Sequence, residues 1–158
     1  MEKHCEVVLT ADMVVLSKDG SVLLIKRKNE PFTGMWALPG GKLDPEDETI
    51  EACARRELSE ETGLLTSDFE LLGVYSRKDR DPRGRYISVA YLAHVARRFE
   101  PAVGDDAQEA QWFPIDELPQ EMAFDHHRIV MDALCHPRDR SEHRQMPDAR
   151  DRDEACNG

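Results

Sequence analysis

Apolar positions in the first part of the chain fall in short dense runs rather than in a helical stripe. Glu6 to Ser17 is rich in Val, Leu and Met, Lys18-Asp19-Gly20 is a turn signal, and Ser21 to Arg27 (SVLLIKR) resumes the pattern, which predicts a β-hairpin. Asn29-Glu30-Pro31 and Thr33-Gly34 break the regularity before a short apolar piece, Met35 to Leu38, that ends at Pro39-Gly40-Gly41. From about Glu48 to Thr62 strong helix formers dominate, and Gly63 stands where a left-handed terminus belongs. Two β-rich runs follow, Phe69 to Arg77 and Tyr86 to Ala96, joined by a polar loop containing Asp81-Pro82-Arg83-Gly84. After a loop from Glu100 to Asp106 comes the strand-like Ala110 to Pro114, then a helical turn at Asp116 to Leu118. A second helix spans Asp125 to Cys135, with Ile129, Val130, Ala133 and Leu134 on one stripe and Asp125 as its cap. The order describes one mixed α/β (α+β) domain over residues 1–135. Residues 136–158 are almost without apolar residues and read as a disordered charged tail.

Composition narrows the partners. The 158 residues are 40% hydrophobic, enough for one core, and no apolar run approaches the roughly 20 residues that span a bilayer. With 32 Asp and Glu against 21 Lys and Arg, the formal charge of −11 argues against nucleic acid as a ligand, because phosphate backbones are held by clustered cations. Cys5, Cys53, Cys135 and Cys156 show no C-x-x-C spacing, and the N-terminus lacks the order of a signal peptide; free thiols without an export signal fit a reducing cytoplasm. The negative charge is concentrated. Residues 41–64 hold eight acids and three bases, residues 105–121 hold six acids and no base, and the rest of the chain is neutral.

The first acidic segment carries the chemistry. At 100° per residue Ile50, Cys53, Ala54, Glu57 and Glu61 fall within a sector roughly 80° wide, so two carboxylates share the stripe that faces the interior, with Glu60 on its flank. A solvated acidic face is the common reading of such a helix. Here an i,i+4 Glu pair repels by about 0.2–0.5 kcal/mol even in water, and turning it inward costs more unless a cation or protons compensate. Converging carboxylates suit a hard divalent ion such as Mg²⁺, with Mn²⁺ as an alternative. Gly40 and Gly41 permit close backbone approach, and a metal held by few protein ligands leaves room for phosphate oxygens. No Walker A loop is present.

The run Gly41 to Leu64 resembles the Nudix box, G-x5-E-x7-R-E-U-x-E-E-x-G-U with U aliphatic. Glu48, seven residues, and then Arg56-Glu57-Leu58-Ser59-Glu60-Glu61-Thr62-Gly63-Leu64 match without a gap, but six residues rather than five separate Gly41 from Glu48. Either the loop carries an insertion or Asp47 takes the first acidic role; the intact x7 spacing favours Glu48. The flanking runs LLIKRKNEPFTGMWALPGG, LLGVYSRKDRDPRGRYISVAYLA and AFDHHRIVMDAL resemble the ADP-ribose pyrophosphatase branch of Nudix hydrolases over roughly residues 7–135. The resemblance implies an α/β/α sandwich around a mixed sheet, and hydrolysis of a nucleoside diphosphate linked to another group by water attack at phosphorus.

It further implies Glu57, Glu60 and Glu61 as metal ligands with Gly41 near the metal, Arg56 orienting the cluster and Glu48 assisting. The base is a box Glu or an acid among Asp105, Asp106 and Glu109. Arg80 and Arg83, in a basic cluster with Arg77, Lys78 and Arg85, are candidates for the substrate's diphosphate or ribose, as are Arg27 and Asp106; a solubilising hairpin tip is the competing reading. Phe32, Trp36, Tyr86 and Phe124 read as core before they read as base-stacking residues, and His126 and His127 as near-surface residues at a helix start. Cys53 reads as a small hydrophobe. Two rival functions remain: a nucleoside triphosphate pyrophosphatase, and a non-catalytic ADP-ribose sensor. The sensor group carries an added DNA-binding domain, which the 23 residues after Cys135 are too few and too polar to form. The expected partner is a small nucleoside diphosphate, with no nucleic acid or membrane; a homodimer is compatible with the resemblance.

Overall fold

The computed structural model describes residues 1–104 and 107–137. The expected tail beyond residue 137, and Asp105 and Asp106, lie outside the described residues.

β1 (Val8–Ser17) and β2 (Ser21–Arg27) follow each other through the expected turn and pair antiparallel next to it, Leu16 opposite Val22. The hairpin then opens. Along its whole length β1 instead pairs in parallel with β6 (Tyr86–Val95), while β2 pairs antiparallel with β7 (Ala107–Pro114). The chain from Trp36 to Lys42 enters the fork, with β3 (Trp36–Ala37) on β2 and β4 (Gly40–Lys42) on β1. β5 (Glu70–Tyr75) closes the far edge against β6, giving a seven-stranded mixed sheet.

Side chains alternate between two cores. Val14, Leu16, Val22 and Leu24 face one layer with Ile129, Val130 and Ala133 of α2 (His126–Cys135). Ala11, Met13, Val15 and Leu23 face the other with Cys53, Ala54 and Leu58 of α1 (Ile50–Thr62). Both faces of β1 are covered, which is why its sequence is a nearly continuous apolar run without alternation. Helices on opposite faces of a mixed sheet make the expected α/β/α sandwich. No helix among the described residues is long and apolar enough to cross a membrane.

The helix ends locate the chemistry. α1 starts at Ile50 rather than Glu48 because Thr49 caps it, Oγ1 accepting the Ala52 N–H at 3.0 Å. Gly63 ends it in the left-handed region at φ 78°, its N–H donating to the Ser59 carbonyl. Asp125 precedes α2 but makes no side-chain cap, because both its oxygens accept from Arg80.

Candidate active site

α1 turns Glu57 and Glu61 inward, as its periodicity predicts. Glu61 is 6% exposed and the Glu57 side chain 13%, whereas the Glu60 side chain is 53% exposed on the flank. The glycine turn meets them directly. Gly40 N–H donates to Glu61 Oε2 at 2.8 Å. Gly41 lies so close to Glu57 that a Cβ there would collide with the carboxylate, and a Cβ on Gly40 would collide with the Ala11 carbonyl and Asp12 Oδ1. Neither position tolerates a side chain without displacing its neighbours.

Arg56 binds the acids together. Its Nη1 donates to Glu57 Oε1 at 2.9 Å and to Glu60 Oε2 at 3.3 Å. Its Nε and Nη2 grip both oxygens of Asp47 at 2.9 and 2.8 Å, and Nη2 also reaches the Lys42 carbonyl. Of the two acids that the box spacing offers, Asp47 is the one that meets Arg56, while Glu48 is exposed ahead of the cap. Asp44 to Asp47 close a turn on themselves, Asp47 Oδ2 accepting the Asp44 N–H and Asp44 Oδ1 the Glu46 N–H, which aims Asp47 at Arg56. The hydrogen bonds from Arg56 hold the Asp47 carboxyl far below its ordinary range and push the guanidinium further up.

Glu57 and Glu61 share one wall of a cavity of about 560 Å³ with Gly40, Gly41, Arg27 and Arg83. A smaller cavity of about 90 Å³ adjoins it, between Asp12, His126, Phe124 and the same Arg27, Arg83, Gly40 and Gly41. Arg27 anchors to the Pro31 carbonyl and lies 4.8 Å over the Phe124 ring. Arg83 grips both oxygens of Asp81 and lies 4.3 Å over Tyr86, so its charge is presented on a fixed arm. Arg80 walls the small cavity and another beside α2, and its buried guanidinium is held bidentately by Asp125, the residue before α2.

Glu109 stands on β7 opposite Lys26, its carboxylate 3.6 Å from Nζ and exposed, and it is not among the residues walling the cavity of Glu57 and Glu61. One further reading changes: His126 is not near the surface but buried, while His127 is exposed. Phe32 and Phe124, half-buried and both at positive φ (62° and 54°), pack against the small core of Ile25, Ala37, Ala107 and Ala123, and meet edge-to-face at 4.9 Å where they wall the third cavity, of about 710 Å³, beside α2. Cys53 is buried as expected, and burial pushes its thiol up to about 12. Asp12 escaped the sequence reading, although a lone carboxylate inside the apolar run ADMVVL was a usable signal.

Among the described residues no three acidic, His or Cys side chains stand gathered as a ready metal cluster. The donor set nonetheless suits a hard divalent cation: two inward carboxylates against a turn whose glycine leaves no space for a side chain, beside a cavity. Arg56 Nη1 holds Glu60 and Glu57 at once, while the Glu60 side chain stays on the exposed flank of the helix.

The NUDIX domain family model matches residues 7–134. Over 120 residues the chain is 49% identical to an ADP-ribose pyrophosphatase of Methanocaldococcus jannaschii, covering 76% of this chain and 69% of that protein. It is 32% identical over 144 residues to the ADPR responsive transcriptional repressor NtrR of Acinetobacter baylyi, covering 88% of this chain and 58% of the repressor. The NUDIX domain of Shewanella oneidensis NrtR, solved in complex with ADP ribose, superposes with a TM-score of 0.74 at 30% identity, over 82% of this chain and 87% of that one. A box helix whose Arg56 gathers the acids, a glycine turn seated on its inward carboxylates, and a matching α/β/α sheet thus agree with these likenesses: the chain belongs to the Nudix family and is a Nudix hydrolase.

Proposed function

We propose that the chain hydrolyses ADP-ribose, or a close nucleoside diphosphate relative, to AMP and ribose 5-phosphate with the help of Mg²⁺ or Mn²⁺. The observation that carries the reading is the joint placement of Glu57 and Glu61 with Arg27 and Arg83 around one cavity. A diphosphate brings charge that two arginines can receive while the carboxylates hold its counter-cation. Glu57 and Glu61 would hold the metal, with Glu60 beside them on the flank of the helix and Gly41 close behind. When bound, the ion supplies charge neutralisation and acidifies water. Arg56, pinned by Asp47, keeps Glu57 in place and balances the acids. Arg83, braced on Asp81, faces a phosphate oxygen. The 49% identity to an ADP-ribose pyrophosphatase supports the choice of substrate.

The 32% identity to an ADPR responsive repressor favours a second reading, in which the same cavity binds ADP-ribose without turnover. The full set Arg56, Glu57, Glu60 and Glu61 favours hydrolysis. Purified protein incubated with Mg²⁺ and a panel of ADP-ribose, related nucleoside diphosphates and nucleoside triphosphates decides. AMP with ribose 5-phosphate supports the proposal; pyrophosphate release from triphosphates supports a pool-sanitising enzyme; tight ADP-ribose binding without product supports the sensor.

A further inference from the structure

The segment leading into α2 grips the approach to the glycine turn at two points. Ala123 N–H donates to the Trp36 carbonyl at 2.9 Å, and Leu38 N–H donates to Nδ1 of His126 at 2.9 Å. Leu38 lies between β3 and β4 and is buried, so an amide there without an acceptor would carry the full cost of desolvation. An imidazole nitrogen that accepts an N–H bears no proton, which puts the ring proton on Nε2, and Nε2 faces Asp12 Oδ2 at 3.5 Å. With one nitrogen committed to Leu38 and the other protonated, His126 is not placed to take a proton from water.

Asp12 completes the brace. It accepts the Ser88 hydroxyl, lies 4.0 Å from Arg80 Nη2, and its Oδ1 fills the space that a Cβ on Gly40 would need. The backbone held by His126 runs straight into the reaction centre: the Pro39 carbonyl accepts Met13 N–H, and Gly40 N–H meets Glu61. We infer that His126 is a positioning residue. Its neutral ring is a spacer between Asp12 and Leu38 that sets the backbone presenting Gly40 N–H to Glu61. The inference rests on the reading of Glu57 and Glu61 as the reaction centre.

The test combines a resting-state spectrum with kinetics. His126→Asn keeps an acceptor near the Nδ1 position; His126→Leu removes it, and His126→Gln extends it past Leu38. In ¹⁵N NMR the wild-type Nδ1 should report an unprotonated nitrogen. The Asn variant should leave the Gly40 amide resonance in place and kcat within about threefold. The Leu variant, folded by circular dichroism, should shift the Gly40 resonance and lower kcat at least 30-fold with KM within about threefold. If the Leu variant does not fold, the Gln variant is expected to give the same readings. A Leu or Gln variant with an unmoved Gly40 resonance, or a moved one with unchanged kcat, overturns the inference, as does an Asn variant as impaired as Leu. Wild-type protein that hydrolyses nothing overturns the functional reading instead, and the contact chain then stands or falls on the Gly40 resonance alone.

Discussion

Arg56 is the residue on which the acidic turn and helix depend, since one guanidinium answers Asp47, Glu57 and Glu60. Asp47→Asn removes the carboxylate that grips Nε and Nη2 of Arg56, leaving Glu57, Glu60 and the Lys42 carbonyl as its partners, so it should lower kcat by at least tenfold, whereas Glu48→Gln should leave it within about twofold. Equal loss in both variants contradicts the assignment. The same contact has a pH signature. Asp47's native pKa lies below its ordinary value of 3.8, so its stabilisation is present above that value and is lost as pH falls toward the depressed one. The difference in Tm between wild type and Asp47→Asn should be constant above about pH 5 and shrink below about pH 4. Cys53 gives a second check at this scale. With its thiol pushed up to about 12 by burial, it should resist a thiol reagent at pH 8 while exposed Cys5 and Cys135 react, and should react once the chain is unfolded.

Among the elements, β4 and α1 form the working unit. The inward stripe Cys53, Ala54, Glu57 and Glu61 was legible because helical periodicity is a strong signal and nothing in the fold overrode it. The register of the glycine turn was not. Whether Asp47 or Glu48 meets Arg56 depends on how Asp44 to Asp47 fold back on their own amides, a local contest that residue spacing does not report. The Asp125 cap failed for a different reason: Arg80, 45 residues away, outcompetes the α2 amides for its carboxylate. Nothing in a linear reading carries that partner. Gly41→Ala tests the element directly. Its methyl group would press on the Glu57 carboxylate, and the expected result is a folded protein whose kcat falls at least 30-fold. Thr49→Ala at the cap should cost about 1 kcal/mol of stability while leaving kcat nearly unchanged.

On the scale of the whole molecule, two helices on opposite faces of the sheet leave the edge formed by β4, the Arg83 loop and the α2 N-terminus to build the site. The layers and element order were legible; the fork between β1 and β2 was not, because the apolar run of β1 looks the same whether it pairs with β2 or with β6. The surplus of −11 also takes on a location: one share lies in the box, where Glu57 and Glu61 repel each other unless a cation joins them. Binding to the native state alone stabilises by about 2.7 kcal/mol at 100-fold over Kd. MgCl2 should therefore raise Tm by roughly 5–10 °C in the wild type, beyond NaCl of equal ionic strength, and much less in Glu57→Gln. Equal shifts with both salts would place the effect in general screening.

The most direct test of the central claim is steady-state hydrolysis of ADP-ribose in Mg²⁺ by the wild type, Glu57→Gln and Glu61→Gln, with AMP measured as product. The account predicts turnover by the wild type and a loss in kcat of at least 100-fold in each variant, both remaining folded. Folded variants that keep wild-type turnover would contradict it.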